Sequence, residues 1–371
     1  MAVTLQDVVG ALDDAYPRYL AEDWDAVGLV GGDLQAPVSS VLLAVDVTSA
    51  VVDEALQAGA DLLVAHHPLL LRAVHGVGTD TVEGRLLHRL ITGGCGLFTA
   101  HTNADSAAPG VSDALARTIG LTDLLPLEPK PEDPRDQVVA RVPSASAGSV
   151  AAALTDAGAA QVRVVAEVAD AVEVADAVEV ADAAEVPEGS RAGLSRVEGV
   201  VPRPQRQQAL AAVRRSHPDP EPSIQVYELA ALPSARGLGR VGTLPQPMSL
   251  QAFAEHVARV LPRTATGVRV AGPVLAAVQR VAVCGGSGDS LIGAARAAGA
   301  DVLVTADLRH HPVSGAMEAG GPWVVDVSHW ASEWPWLMGA RERILSALDP
   351  LGEHLDVVVS RTVTDPWTSR A

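Results

Sequence analysis

Two distant stretches of this chain share one pattern. Ala58-Gly59-Ala60-Asp61-Leu62-Leu63-Val64-Ala65 leads into His66-His67-Pro68, and Ala298-Gly299-Ala300-Asp301-Val302-Leu303-Val304-Thr305 leads through Ala306-Asp307-Leu308-Arg309 into His310-His311-Pro312. Each reads as a helix end at a glycine, then a short buried strand of apolar residues. Such self-similarity points to two related α/β halves. In the first copy Pro68 stops the strand, because proline has no N–H to give the ladder. His66 and His67 therefore fall at a strand's carboxyl end, where open α/β sheets place their ligand crevices. Neighbouring strand side chains point to opposite faces, so a kink at Pro68 is needed to turn both imidazoles to one pocket. A single hydrogen-bonded histidine beside a solvent-facing one is the plainer alternative for such a pair.

A chain of 371 residues is too long for one small core and implies two or three domains. Hydrophobic residues make up 48% and aromatics only 3%, so the core must be built from Val, Leu and Ala. The net charge of -18 disfavours nucleic-acid binding by the whole surface and leaves room only for a local basic patch. The two cysteines, Cys95 and Cys284, sit in apolar surroundings and read as reduced core thiols of a cytosolic protein. The opening residues lack a basic n-region and a long apolar h-region, and no apolar run is long enough to span a bilayer; a cytoplasmic protein without membrane contact is expected.

Along the first half, Thr4 to Leu20 has helical periodicity with Thr4 as N-cap, and Ser40 to Val47, Ser49 to Gly59 and Ala60 to Ala65 form a βαβ unit. Gly96 to Ala100 is a further strand, delivering His101-Thr102-Asn103-Ala104-Asp105. Pro126 to Pro134 is proline-rich and charged and reads as a linker. Beyond it lies a β-α-β…β-α-β insert of ferredoxin-like character. The insert is interrupted by the acidic low-complexity repeat 167–186, where EVADAV recurs without Lys or Arg. The expected division is residues 1–130, an insert at 131–245, and 246–371. In the last segment Arg280 to Cys284 reads as a strand before the glycine loop Gly285-Gly286-Ser287-Gly288, which serves either as a phosphate cradle or as a tight turn. Pro335 is tolerated only in a helix's first turn, so a helix is expected to begin near Ser332.

Three strand ends carry histidine or carboxylate: His66 with His67, His101 with Asp105, and His329 with Glu333. Imidazole and carboxylate donors without thiolates suit Zn²⁺, Mn²⁺ or Fe²⁺. The set is too large for one catalytic zinc and is about right for two ions sharing a carboxylate. Asp25 and Asp46 are available to orient ligand imidazoles, although turn or cap duty is the plainer role. Trp323, Trp330, Trp334 and Trp336 are expected in packing or subunit contacts, and His310 behind the ligands or lining a cavity.

The chain resembles the NIF-three-like family, also labelled GTP cyclohydrolase I type 2 homologs. The likeness rests on Trp24-Asp25-Ala26-Val27-Gly28-Leu29, His66-His67-Pro68-Leu69, His101-Thr102-Asn103-Ala104-Asp105, Gly285-Gly286-Ser287-Gly288, Thr305-Ala306-Asp307 with His310, and His329 with Glu333. Ala26, Ala306 and Ser328 depart from the family's Asn, Gly and Gly, and no proposed ligand is lost. The resemblance implies an α/β fold in which two related halves form one metal-binding domain, interrupted by a PII-like or CutA-like insert. It implies two divalent metal ions per subunit (Zn, Fe or Mn) held by His66, His67, Asp105, His329 and Glu333, with Glu333 bridging. His101 would be a proton-transfer group beside them or a hydrogen-bonded strand-end histidine. A toroidal homohexamer is implied, as is a metal-dependent hydrolase acting on a nucleotide or related small molecule, with His101 and Glu333 as catalytic residues. A non-enzymatic metal-handling or scaffold assembly is the alternative.

Overall fold

A computed structural model describes residues 2–166, 193–352 and 354–370; the acidic repeat 167–186 lies outside the described residues. The protein is a mixed α/β chain with three sheets. It divides into two compact units, residues 1–130 with 234–371, and residues 131–233.

In the first unit, a five-stranded sheet has the order Gly28–Gly31, Gly96–Thr99, Leu62–Ala65, Ser40–Ala44, Asp356–Val359. All neighbours are parallel except the first pair. Because successive strand side chains alternate, Leu62 and Val64 enter one core cluster and Leu63 and Ala65 another, so the sheet is covered on both faces. The helix Leu5–Ala15 covers one of them with Leu5, Val8, Val9 and Leu12. Thr4 caps it reciprocally with Asp7. It ends at Ala15, short of the expected Leu20, because Pro17 disfavours helical backbone at Tyr16.

A second sheet of six strands has the order Arg269–Ala271, Trp323–Val327, Val302–Ala306, Ala277–Ser287, Pro233–Ser249, Thr122–Pro131. Much of the expected linker is therefore strand. The three prolines Pro126, Pro129 and Pro131 are tolerated there because the strand lies at the sheet's edge. The second unit carries an antiparallel sheet in the order Ala160–Ala166, Leu194–Pro202, Arg135–Pro143, Ile224–Glu228. Its helices Ala147–Asp156 and Arg206–Ser216 bury Val150, Leu154, Ala209 and Val213 with Val138, Val197 and Val201. No helix among the described residues is long and apolar enough to cross a membrane.

Candidate metal centre

Four histidines and two carboxylates meet at the carboxyl ends of strands in the first unit. His66 and His67 continue the Leu62–Ala65 ladder, their N–H groups donating to Ala44 O (3.1 Å) and Val45 O (2.9 Å). Their rings nonetheless lie 5.0 Å apart and tilt by only 43°, so both reach one cluster. His101 follows Gly96–Thr99 and stands at the head of the short helix Thr102–Ser106, which carries Asp105. His329 and Glu333 follow the strand Trp323–Val327. Here the structure corrects the expected helix start. A five-residue helix, His329–Glu333, begins on the histidine, and Pro335 caps the next helix, Trp336–Leu348. One helical turn therefore stacks His329 and Glu333, with Nε2 to Oε1 at 2.9 Å.

Each imidazole uses Nδ1 for an oxygen outside the cluster. His66 reaches Ala100 O (2.8 Å), His67 reaches Asp46 (2.7 Å), His101 reaches Asp25 (2.8 Å) and His329 reaches Asp307 (2.6 Å). An acceptor at Nδ1 holds the proton there and leaves the Nε2 lone pair to point inward. Asp25 and Asp46 thus orient imidazoles, as does Asp307, whose own backbone is left-handed at φ 56°.

The inward atoms converge on Glu333. Its Oε1 lies 3.5 Å from His66 Nε2 and its Oε2 3.2 Å from His67 Nε2. Asp105 Oδ1 is 3.7 Å from His66 Nε2. His67 Nε2 and His329 Nε2 stand 3.2 Å apart. His66 Nε2, Asp105 Oδ1 and Glu333 Oε2 are buried with no hydrogen-bond partner. Buried polar atoms are rarely left so. Ligand atoms of His66, His67 and His101 lie within 4.8 Å of one another, as do those of His67, His329 and Glu333, so each trio could hold a metal ion. Nitrogen and oxygen donors without thiolate fit a borderline divalent cation. The structure thus brings all five expected ligands together with His101.

Without a cation, protons must neutralise the cluster. Burial opposes charge on His67, yet Glu333 and the bond to Asp46 raise it to about 11. His329 likewise rises to about 9, burial being outweighed by Glu333 and Asp307. His66 is raised against its burial by Glu333 and Asp105. Burial pushes Asp105 up. Burial also opposes ionisation of Glu333, but His67, His66 and His329 hold it well below its ordinary value.

The glycine loop serves the cluster directly. Gly286 is left-handed at φ 66°, and a Cβ there would meet Glu333 Oε1 at 2.4 Å and His329 Nε2 at 2.9 Å. Ser332 Oγ accepts from Gly286 N (2.9 Å) and donates to His329 O (2.7 Å), tying loop to helix. Neither Gly286 nor Ser332 was marked for this role by composition. Only the sequence position of the loop after a strand hinted at it. His310 is exposed and belongs to neither metal-capable trio. Trp336 is buried and packs 5.2 Å from the His66 ring, while Trp330 is buried in the same core. A cavity of about 500 Å³ opens beside His67 and His329, walled by Arg269, Asp307, Thr364, Asp365 and Trp367.

Fold and cluster together define a mixed α/β protein with a partly buried histidine–carboxylate centre that could hold a metal ion. The chain belongs to the DUF34/NIF3 family: the family model described as Duf34/NIF3 (NGG1p interacting factor 3) matches residues 3–366. It is similar to a protein of Mycobacterium tuberculosis named GTP cyclohydrolase 1 type 2 homolog, 47% identical over 99% of this chain and 97% of the relative. A relative of the same name in Streptomyces coelicolor is 37% identical over 98% of this chain and 94% of its own length. Among solved structures, a Bacillus cereus protein related to NIF3 superposes with a TM-score of 0.78 at 31% identity, covering 99% of each chain. A Staphylococcus aureus protein superposes at 0.85 with 27% identity, covering 100% of this chain and 99% of its own.

Proposed function

We propose that this chain holds two divalent ions (zinc, iron or manganese) between His66, His67, Asp105, His329 and Glu333, and hydrolyses a nucleotide or related small molecule there. One observation carries the reading: three buried polar atoms without partners, on His66, Asp105 and Glu333, face a centre where the His67 and His329 lone pairs also meet. A bridging role for Glu333 is supported by its two oxygens, which face different histidines of the pair His66 and His67. Bound ions supply Lewis acidity to such a site. The chain's own part is to orient four imidazoles from outside, to exclude water around Glu333, and to accept a proton at His101 Nε2 while Asp25 holds Nδ1. The cavity beside His67 and His329 has the size of a small-molecule pocket. The relatives' name, GTP cyclohydrolase 1 type 2 homolog, supports a purine nucleotide as substrate.

The same reading takes the first unit as two related halves, the second unit as a PII-like or CutA-like insert, and the assembly as a toroidal homohexamer. The exposed apolar pair Val274 and Leu275 supports assembly. Two buried free thiols, Cys95 and Cys284, support a cytoplasmic setting.

The test is metal analysis of protein purified without chelator or affinity metal, followed by a nucleotide and phosphoester screen. Two ions per chain are expected, with turnover lost in His101→Ala. Metal without any turnover would favour the non-enzymatic metal-handling or scaffold alternative. Absence of metal uptake would overturn both.

A further inference from the structure

Two of the four imidazoles are held by the same three-part arrangement. Asp25 gives one oxygen to His101 Nδ1 (2.8 Å), while its other oxygen accepts from the Thr102 hydroxyl and from Thr102 N (3.0 Å). Asp46 gives one oxygen to His67 Nδ1 (2.7 Å), while its other accepts from the Thr364 hydroxyl. In the first case threonine and histidine are adjacent in sequence. In the second, the threonine comes from the segment after the strand Asp356–Val359, at the opposite end of the chain.

That segment is pinned along its length. Ser360 N donates to Leu43 O (2.8 Å), and Trp334 Nε1 donates to Ser360 O (2.9 Å). The Ser360 and Thr362 hydroxyls both donate to Glu54 Oε2 (2.6 and 2.7 Å). Thr266 donates to Asp365 (3.1 Å). Thr364 then sits over Asp46, and Asp365 and Trp367 continue as a wall of the cavity beside His67 and His329.

We propose that Thr364 is a positioning residue for the metal centre: its hydroxyl fixes Asp46, and Asp46 fixes the ring plane and tautomer of His67. A carboxylate bonded only to the imidazole can rotate about its last torsion and lose alignment. A second bond to its other oxygen removes that freedom. The consequence for a ligand is direct, because His67 is the one residue common to both metal-capable trios. Changes to outer partners of ligating histidines cost about 10–100-fold in metal affinity. Thr364 lies one bond further out, at the low end of that range.

The part that concerns metal rests on the reading proposed above, and the test separates the two. Full-length protein labelled with ¹⁵N-histidine is compared in metal-free form as wild type, Thr364→Val, Thr364→Ser and Thr362→Val. Exchange of the His67 Nδ1 proton should quicken in Thr364→Val and return to wild type in Thr364→Ser. Titration with Zn²⁺ and with Mn²⁺ should show an affinity loss of about tenfold in Thr364→Val, and none in Thr362→Val, which removes a hydroxyl from the same segment but from Glu54 instead. An unchanged His67 proton in Thr364→Val overturns the relay. Equal affinity losses in Thr362→Val and Thr364→Val overturn it in favour of plain packing of the segment. A wild type that binds neither ion overturns the metal reading, while the proton-exchange comparison still decides whether Thr364 fixes His67.

Discussion

His67 Nε2 and His329 Nε2 stand 3.2 Å apart although 262 positions separate them in the chain. Each ring has its Nδ1 committed to a carboxylate, Asp46 or Asp307. Two lone pairs at that distance repel unless a proton or a cation lies between them, and among the described residues Glu333 is the carboxylate whose two oxygens reach His66, His67 and His329 together.

Glu333→Gln keeps the shape of the side chain and removes its charge. Metal affinity should fall by more than about tenfold, exceeding the loss from an outer partner. In the metal-free protein His67 and His329 should titrate closer to an ordinary histidine, because the largest influence raising both is the Glu333 charge. Zinc titration and histidine NMR measure the two effects. Unchanged affinity in this variant would contradict a bridging role.

Gly286→Ala tests the close approach of loop to carboxylate. The backbone at φ 66° disfavours a side chain, and the new methyl would lie 2.4 Å from Glu333 Oε1. A loss of about 1–3 kcal/mol is expected in urea unfolding, together with weaker metal binding. Gly293→Ala is the control, since a Cβ there meets nothing within 4 Å inside the helix Ile292–Ala297. It should be neutral or stabilising by up to about 1 kcal/mol.

The pH dependence of the metal-free protein follows from the same groups. His67 and His329 are raised, to about 11 and about 9, so their contribution is complete below the unfolded value of about 6.5. That contribution is lost as pH rises through the folded values. Glu333 is held well below its ordinary value, so its contribution is present above about pH 4.5 and lost on acidification. Chelator-treated protein should therefore lose urea resistance progressively between about pH 6.5 and about 11. Metal competes with these protons, so apparent affinity should rise with pH and binding should release protons. Calorimetry in buffers of different ionisation enthalpy reads that release.

Much of this centre is legible in the sequence. His66-His67, His101 with Asp105, and His329 with Glu333 each stand where an apolar run meets a break, and strand ends are where α/β sheets collect ligands. What could not be read was set by tertiary contact. Nothing near Asp307 shows that its carboxylate reaches His329, nor does Thr364 look different from other threonines of the same segment. Confining proline to a first turn puts the helix start near Ser332, whereas the chain ends one short helix on Glu333 and uses Pro335 to cap another. The prolines of Thr122–Pro131 suggested a linker because an edge strand and a linker tolerate proline for the same reason, the lack of a required N–H partner.

Arg240 offers a test of the scaffold independent of metal. Its guanidinium is 2% exposed and donates to Gly237 O, Gly239 O and Ala107 O, each at 2.7 Å, while pairing with Asp113 at 2.8 Å. Asp113 in turn accepts from Gly110 N (2.8 Å), so one ion pair closes the loop that follows the Asp105 helix. Arg240→Met would leave a buried carboxylate without its counter-charge and three carbonyls without this donor. A loss of about 3–5 kcal/mol is expected, read by urea unfolding of chelator-treated protein. Arg240→Met with Asp113→Asn should recover part of it, because the uncompensated charge is then gone. If the double variant is no more stable than the single one, the cost lies in the carbonyls rather than in the pair.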